Sequence, residues 1–401
     1  MQRVILCGQL FDGIRLEPVK DQAIVIDSGR VLEVLSANEA RKRPALAKAE
    51  TIDASKSFVM PGLINVHDHL IFRDLIGNPS VNILAKPSRL AMNATRNAVT
   101  ALRRGWTTIR DMGSSHGISL DFRSYIANGE IPGPRVIACG SPISVTGGHA
   151  FPVCIQADGP YEVRKAARAQ LHAGADFIKV MASHDPIEIE GVQKTRPEMT
   201  PDEINAAFEQ ARAFGKRTAC HVMGTTAISR VLDAGVNVIS HGFYLDDELA
   251  HRMVKQNVYF DPTLSSYGRQ TIHPRLKRGA KWVEDHMPLI PAMESAFRAA
   301  VRAGVKITTG TDSAGRYAED VEMMREFGLD PAHSLLACTR HAAEALAIEK
   351  DLGTIEAGKI ADIVVINGNP LTNAYDLEKV ELVIQGGQPL RPADITLNSP
   401  V

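Results

Sequence analysis

Residues 61–70 read PGLINVHDHL. An apolar run, Leu63 to Val66, enters after a Pro-Gly turn and ends on two histidines separated by one aspartate. Along a strand, positions i and i+2 point the same way, so His67 and His69 present their imidazoles to one centre. Alone, a His-x-His pair is weak evidence, because paired histidines also occur in structural roles. Its place at the carboxyl end of a buried run gives it weight, since that is the face on which closed parallel sheets carry chemistry.

Outward from this strand, the stretch from about 58 to 352 alternates short apolar runs with helical segments, the βα rhythm of a barrel. The predicted strands are LINVH (63–67), TTIRD (107–111), RVIAC (135–139), FIKV (177–180), RTACH (217–221), NVISH (237–241), VYFD (258–261) and KITTGTD (306–312). Between them, TPDEINAAFEQARAFG is a clear helix: Thr200 caps it, Pro201 opens it, Glu203 completes a capping box and Gly215 stops it. AEDVEMMREFG and PAHSLLACTRHAAEAL read as helices after the eighth strand.

Both ends of the chain differ from the middle. VILCGQL, AIVID and VLEVL at one end, and ADIVVING and LVIQGG at the other, are strand-like runs separated by turns. The expected architecture is α/β: a (β/α)8 TIM barrel over 59–352, with a small β-sandwich domain assembled from 1–58 and 353–401.

Composition narrows the function. A chain of 401 residues with 44% hydrophobic and 23% charged residues fills one large core and a smaller one. A net charge of −1 offers no general attraction to nucleic acid or anionic membranes, and neither is expected as a partner. Five scattered cysteines, none in a CxxC pair, fit a reducing cytoplasm rather than a disulfide framework. No apolar stretch approaches a membrane span, and the first ten residues carry no cleavage pattern, so no export signal is expected.

Other strands end as the first does. His221 closes the fifth, His241 the sixth and Asp312 the eighth, while Lys179 lies within the fourth. A charged amine buried there needs either an acidic partner or conversion to a carbamate that bridges metal ions. Two connections are too long for simple turns: Leu70 to Arg89, with apolar Leu70, Ile71, Phe72, Leu75 and Ile76, and Thr263 to Pro288. The second carries Arg269, His273, Arg275, Lys277, Arg278 and Lys281, either a holder for an anionic group or simply a solvated basic loop.

Taken in order, PGLINVHDHL, GADFIKVM, TACHV, VISHG, TGTDSAG and the tail motif LGTIEAGKIADIVVINGNPL resemble the amidohydrolase superfamily over nearly the whole chain. The resemblance implies one metal held by His67, His69 and Asp312 and a second by His221 and His241. A carboxylated Lys179 and a hydroxide would bridge two divalent ions, zinc in type. Asp312 would then be ligand and proton shuttle together. Deaminase relatives place a Glu three residues after the strand-five histidine, where this chain has Gly224. Mononuclear imidazolone-ring hydrolases lack the strand-four lysine. Binuclear hydrolysis is what remains.

SVTGGHAF places His149 on a Gly-Gly turn. It resembles the TGGH motif of the branch holding Xaa-Pro and Xaa-Arg/Lys dipeptidases and ochratoxin-type amidohydrolases, in which that histidine hydrogen-bonds the scissile carbonyl. Tyr244 matches a tyrosine that contacts the substrate carboxylate in the dipeptidases, although an aromatic beside a ligand also serves packing. Arg110 and Asp111 could support the ligands or form a structural salt bridge. The chain departs from the branch after Lys179, where MASHDPIEIEG replaces the usual ATGG and brings in His184, Asp185 and Glu188; with the apolar lid after the first strand, this points away from a plain dipeptide and leaves room for a bulkier apolar acyl group.

The expected function is therefore hydrolysis of an amide bond to an amino acid with a free carboxylate, in a dipeptide or an N-acyl amino acid of the ochratoxin kind, by a metal-bridging hydroxide. Hydrolysis of a carbamate, urea, lactone or phosphotriester at the same site is the alternative. A catalytically silent scaffold is the reading from another class, and the presence of all six ligands argues against it. Family members often form homo-oligomers, and the same is expected here.

Overall fold

The backbone N–H groups of Thr311 and Asp312 both donate to the carbonyl of His67, at 3.0 and 2.8 Å, which ties the end of the eighth strand to the end of the first. The computed structural model describes residues 2–72, 85–185, 195–267, 289–313 and 315–397. Within it, Leu63–Asp68, Trp106–Asp111 and Arg135–Ala138 pair in parallel. Phe177–Met181, Arg217–Val222, Val238–His241 and Tyr259–Asp261 form a second parallel run.

Hydrogen bonds join the two runs on both sides. Asp176 donates to the carbonyl of Ala138 at 2.8 Å, beside the start of the fourth strand. On the other side the extended segment 306–311 bridges Phe260 through Ile307 and accepts Val66 N–H on the carbonyl of Thr309 at 3.0 Å. These contacts set the eight segments side by side in the order of a TIM barrel, with the two sheets joined by single hydrogen bonds rather than full ladders. The eighth member is an irregular segment rather than a regular strand, because the N–H of Thr309 leaves the ring for the carbonyl of Ala337 at 3.1 Å.

That same carbonyl explains a departure from expectation among the helices. Residues 331–346 form two helices, Pro331–Ala337 and Arg340–Leu346, in place of one. The carbonyls of Ala337 and Cys338 accept N–H groups of Thr309 and Ile64 from the barrel, so they are not spent on continuing the helix. The helix Pro201–Ala213 starts as its sequence dictates, with the Thr200 and Glu203 side chains capping each other's backbone.

Strands from both termini make one continuous seven-stranded sheet in which Glu50–Pro61 runs parallel to Arg3–Leu10 and antiparallel to Ile363–Ile366. Alternation along its strands serves two cores. Val59, Ile363 and Val365 join Ile5, Ile24 and Ile384 in the core of this small domain. Phe58, Met60, Val364 and Ile366 face the other way and pack with Leu90, Ala94 and Trp106 of the barrel. Leu70 and Ile71, read from sequence as part of an apolar lid, are buried in that barrel core, whereas Leu75 and Ile76 lie outside the described residues. Among the described residues no helix is long and apolar enough to cross a membrane.

Candidate metal centre

His67, His69, His221 and His241 sit at or beside the carboxyl ends of their strands and Lys179 lies within its own, and three of the histidines have Nδ1 tied down. His67 donates Nδ1–H to Asp261 Oδ2 at 2.7 Å, His69 donates to the carbonyl of Gly113 at 2.9 Å, and His241 pairs with Thr263 Oγ1 at 2.7 Å. In each case the remaining nitrogen, Nε2, keeps its lone pair for an electrophile. His221 Nε2 is buried and has no hydrogen-bond partner among the described residues.

These groups converge. Nitrogens of His67 and His241 and an oxygen of Asp312 lie within 4.8 Å of one another. His69 Nε2 is 3.7 Å from Asp312 Oδ1, and the rings of His221 and His241 are 4.5 Å apart. Lys179 is buried at 2% exposure, and its ammonium feels the charges of His69, His221, His241 and Asp312.

Burial sets the protonation states. It pushes the His69 imidazole down to about 4, with the charges of His67 and Lys179 adding to it, and drives His221 and His241 well below the usual histidine range. It lowers Lys179 as well, favouring the neutral amine. For Asp312 burial acts upward, but the facing imidazoles of His67, His69 and His241 outweigh it and hold the carboxyl below the ordinary range. Neutral imidazoles, a buried amine and a carboxylate around an orphaned ring nitrogen make a donor set that suits a divalent ion.

Among the described residues, the ten non-glycine residues with positive φ include three candidate site residues and Thr263, the hydrogen-bond partner of His241. His241, Tyr244, Thr263 and Asp312 all adopt positive φ, at 66°, 67°, 48° and 50°. Non-glycine residues take that region at a cost, and such strain clusters at functional sites.

His149 is held firmly instead of waving in a loop. Gly148 permits a close approach to Glu198, whose Oε2 accepts the backbone N–H of His149 at 2.9 Å; a Cβ at Gly148 would meet that oxygen at the same distance. The imidazole stacks on His221, with centroids 3.8 Å apart and planes inclined by 16°. Tyr244 stands apart from the histidines. It is 37% exposed and lines a cleft of about 310 Å³ with Thr195, Gly224, Thr225, Thr226 and Ala227.

Several supporting residues escaped the sequence reading. Asp261, which the sequence marks only as the end of a strand, is fully buried and accepts both His67 Nδ1–H and Ser240 Oγ–H, the latter at 2.9 Å. An acid closing an apolar strand was the signal available. Glu198 binds His149 and also pairs with His184 Nδ1 at 3.1 Å, and nothing in its local sequence marks it. Arg110 donates Nε–H to the carbonyl of Val66 at 2.6 Å and lies 4.0 Å from Asp261. Asp111 accepts the N–H groups of Leu70 and Gly113, while burial raises its carboxyl to about 7. Glu188 and the basic residues of the loop after the seventh strand lie outside the described residues.

A parallel barrel whose carboxyl mouth gathers histidines, a buried lysine and an aspartate defines the class: hydrolases with a candidate metal site on a TIM barrel. The sequence pattern of the Amidohydrolase family matches residues 58–390, and the chain belongs to that family. Among curated relatives it is similar to an ochratoxinase of Aspergillus niger, 27% identical over 92% of this chain and 82% of the relative. Among solved structures it is similar to a Xaa-Pro dipeptidase with bound methionine, at TM-score 0.87 and 28% identity over 98% of this chain and 100% of the other. A putative prolidase from Bifidobacterium longum superposes with TM-score 0.83 at 29% identity, covering 98% and 97%.

Proposed function

We propose that the chain hydrolyses an amide bond to an amino acid that keeps its free carboxylate, a dipeptide or an N-acyl amino acid of the ochratoxin kind. The convergence of His67, His69, Lys179, His221, His241 and Asp312 on one barrel mouth carries this reading. His67, His69 and Asp312 would hold one ion and His221 and His241 a second, with Lys179, if carboxylated, as the group that would serve both. Two divalent ions bound there, zinc by the nitrogen-rich donor set, supply Lewis-acid polarisation of the carbonyl and activation of water at neutral pH.

The chain's own groups do the rest. Asp312 stays ionised, takes the proton from the attacking water and passes it to the leaving amine. His149, fixed by Glu198, donates a hydrogen bond to the scissile carbonyl oxygen as charge develops on it. Tyr244 and the hydroxyl-lined cleft beside it receive the substrate carboxylate. Similarity to an ochratoxinase and to a Xaa-Pro dipeptidase supports an amide substrate of this class.

A panel of dipeptides and N-acyl aromatic amino acids, with matched esters and carbamates lacking the carboxylate, tests the reading. Carboxylate-bearing amides should be turned over fastest, and activity should vanish on chelation and return with divalent metal. Full activity after metal removal, or faster turnover of the carboxylate-free esters, would overturn it.

A further inference from the structure

Asp185 lies in the segment that follows Lys179 in place of the usual ATGG run, and the structure brings its carboxylate beside His149 and His221. It is 5% exposed, and Oδ2 accepts the hydroxyl of Tyr267 at 2.9 Å. Tyr267 in turn sets its ring edge-on to His241, with centroids 5.8 Å apart. Ligand-type atoms of Asp185, His149 and His221 all lie within 4.8 Å of one another.

Such a trio invites a reading as a third metal shell, and ring geometry argues against it. Imidazole lone pairs lie in the ring plane. Two rings stacked at 3.8 Å and inclined by 16° send theirs along nearly parallel lines that do not meet on one ion. Ring geometry thus leaves His149 and the carboxylate beside it for contact with a substrate rather than for a shared ion.

We propose that Asp185 selects substrates that carry a protonated amine on the carbon next to the scissile carbonyl, so that a free dipeptide is preferred to an N-acylated amino acid. This rests on the amide-hydrolysis reading above. By standard bond lengths the α-nitrogen of a dipeptide lies about 2.5 Å from its carbonyl carbon. A substrate whose carbonyl oxygen is bonded to His149 thus brings its ammonium within reach of a carboxylate less than 5 Å from that imidazole. In a buried setting a charge-assisted contact of this kind is strong. Acylation removes the charge and adds bulk at the nitrogen, which sharpens the choice.

Paired substrates provide the test, each dipeptide against its own N-acetyl derivative, using metal-loaded wild-type enzyme and the variants Asp185→Asn and Asp185→Glu. The wild type should favour the free amine by tenfold or more in kcat/KM. Asp185→Asn should shrink that ratio at least tenfold, chiefly through KM, and Asp185→Glu should restore part of it. Metal content, measured alongside, should equal the wild-type value in both variants.

Equal or better cleavage of the acetylated partner by the wild type overturns the assignment without relying on any variant. An unchanged ratio in Asp185→Asn does the same, and so does the loss of one ion per chain, which would make Asp185 a ligand. In each of those outcomes amide hydrolysis itself still stands. Failure to cleave either member of every pair removes the hydrolysis reading and the assignment with it.

Discussion

His67 can offer Nε2 to a metal because its other nitrogen is committed to Asp261, and that commitment is over-determined. Asp261 also takes the Ser240 hydroxyl and lies near the Arg110 guanidinium, in a spot with no solvent. Replacing this carboxylate by an amide removes an acceptor and a negative charge from behind the ligand while leaving the shape nearly intact. Asp261→Asn should weaken metal affinity by about 10- to 100-fold, read by titrating the metal-free protein against a competing chelator. Unaltered affinity would show that His67 is oriented by packing alone. His221 contrasts with this arrangement, since its orphaned Nε2 has burial and the stacked His149 around it. A buried polar group left in that state is expensive unless a ligand completes it.

At the scale of elements, the approach of strand to strand governs the site. A Cβ at Gly310 would lie 2.2 Å from Asp261 Oδ1 and 2.6 Å from His67 Cβ, so the eighth segment reaches the first strand only because this residue is glycine. Gly310→Ala should lower stability by about 1–3 kcal/mol and reduce metal loading together, measured by thermal unfolding and metal analysis on one sample. A drop in stability with full loading would separate the strand contact from the centre. Such contacts bear on what the sequence could reveal. His67, His69, His221, His241 and Asp312 were legible because each ends an apolar run, a local pattern. The barrel strands and the helix at Thr200 were legible for the same reason, through periodicity and capping. Asp185 and Glu198 were not legible as partners of His149, because Tyr267 and the Gly-Gly turn reach them only through folding across 82 and 49 residues. The break at Thr339 was likewise hidden, since the barrel strands, and not the helix sequence, claim its carbonyls.

For the molecule as a whole, the barrel fixes the six candidate ligands on five of its segments, His67 and His69 sharing one, and the terminal sheet braces it from outside, sharing Phe58, Met60, Val364 and Ile366 with the barrel core. Rigid support of this kind lets neutral, desolvated imidazoles persist beside a buried lysine, an arrangement that would otherwise be costly. Family membership accounts for the hydrolase scaffold. Everything proposed for the chemistry depends on Lys179 serving two ions at once. Metal analysis of purified wild-type and Lys179→Ala protein addresses that directly. Two divalent ions per wild-type chain and one or fewer in the variant, with activity abolished, is the expected result; two ions retained by an active Lys179→Ala protein would contradict it.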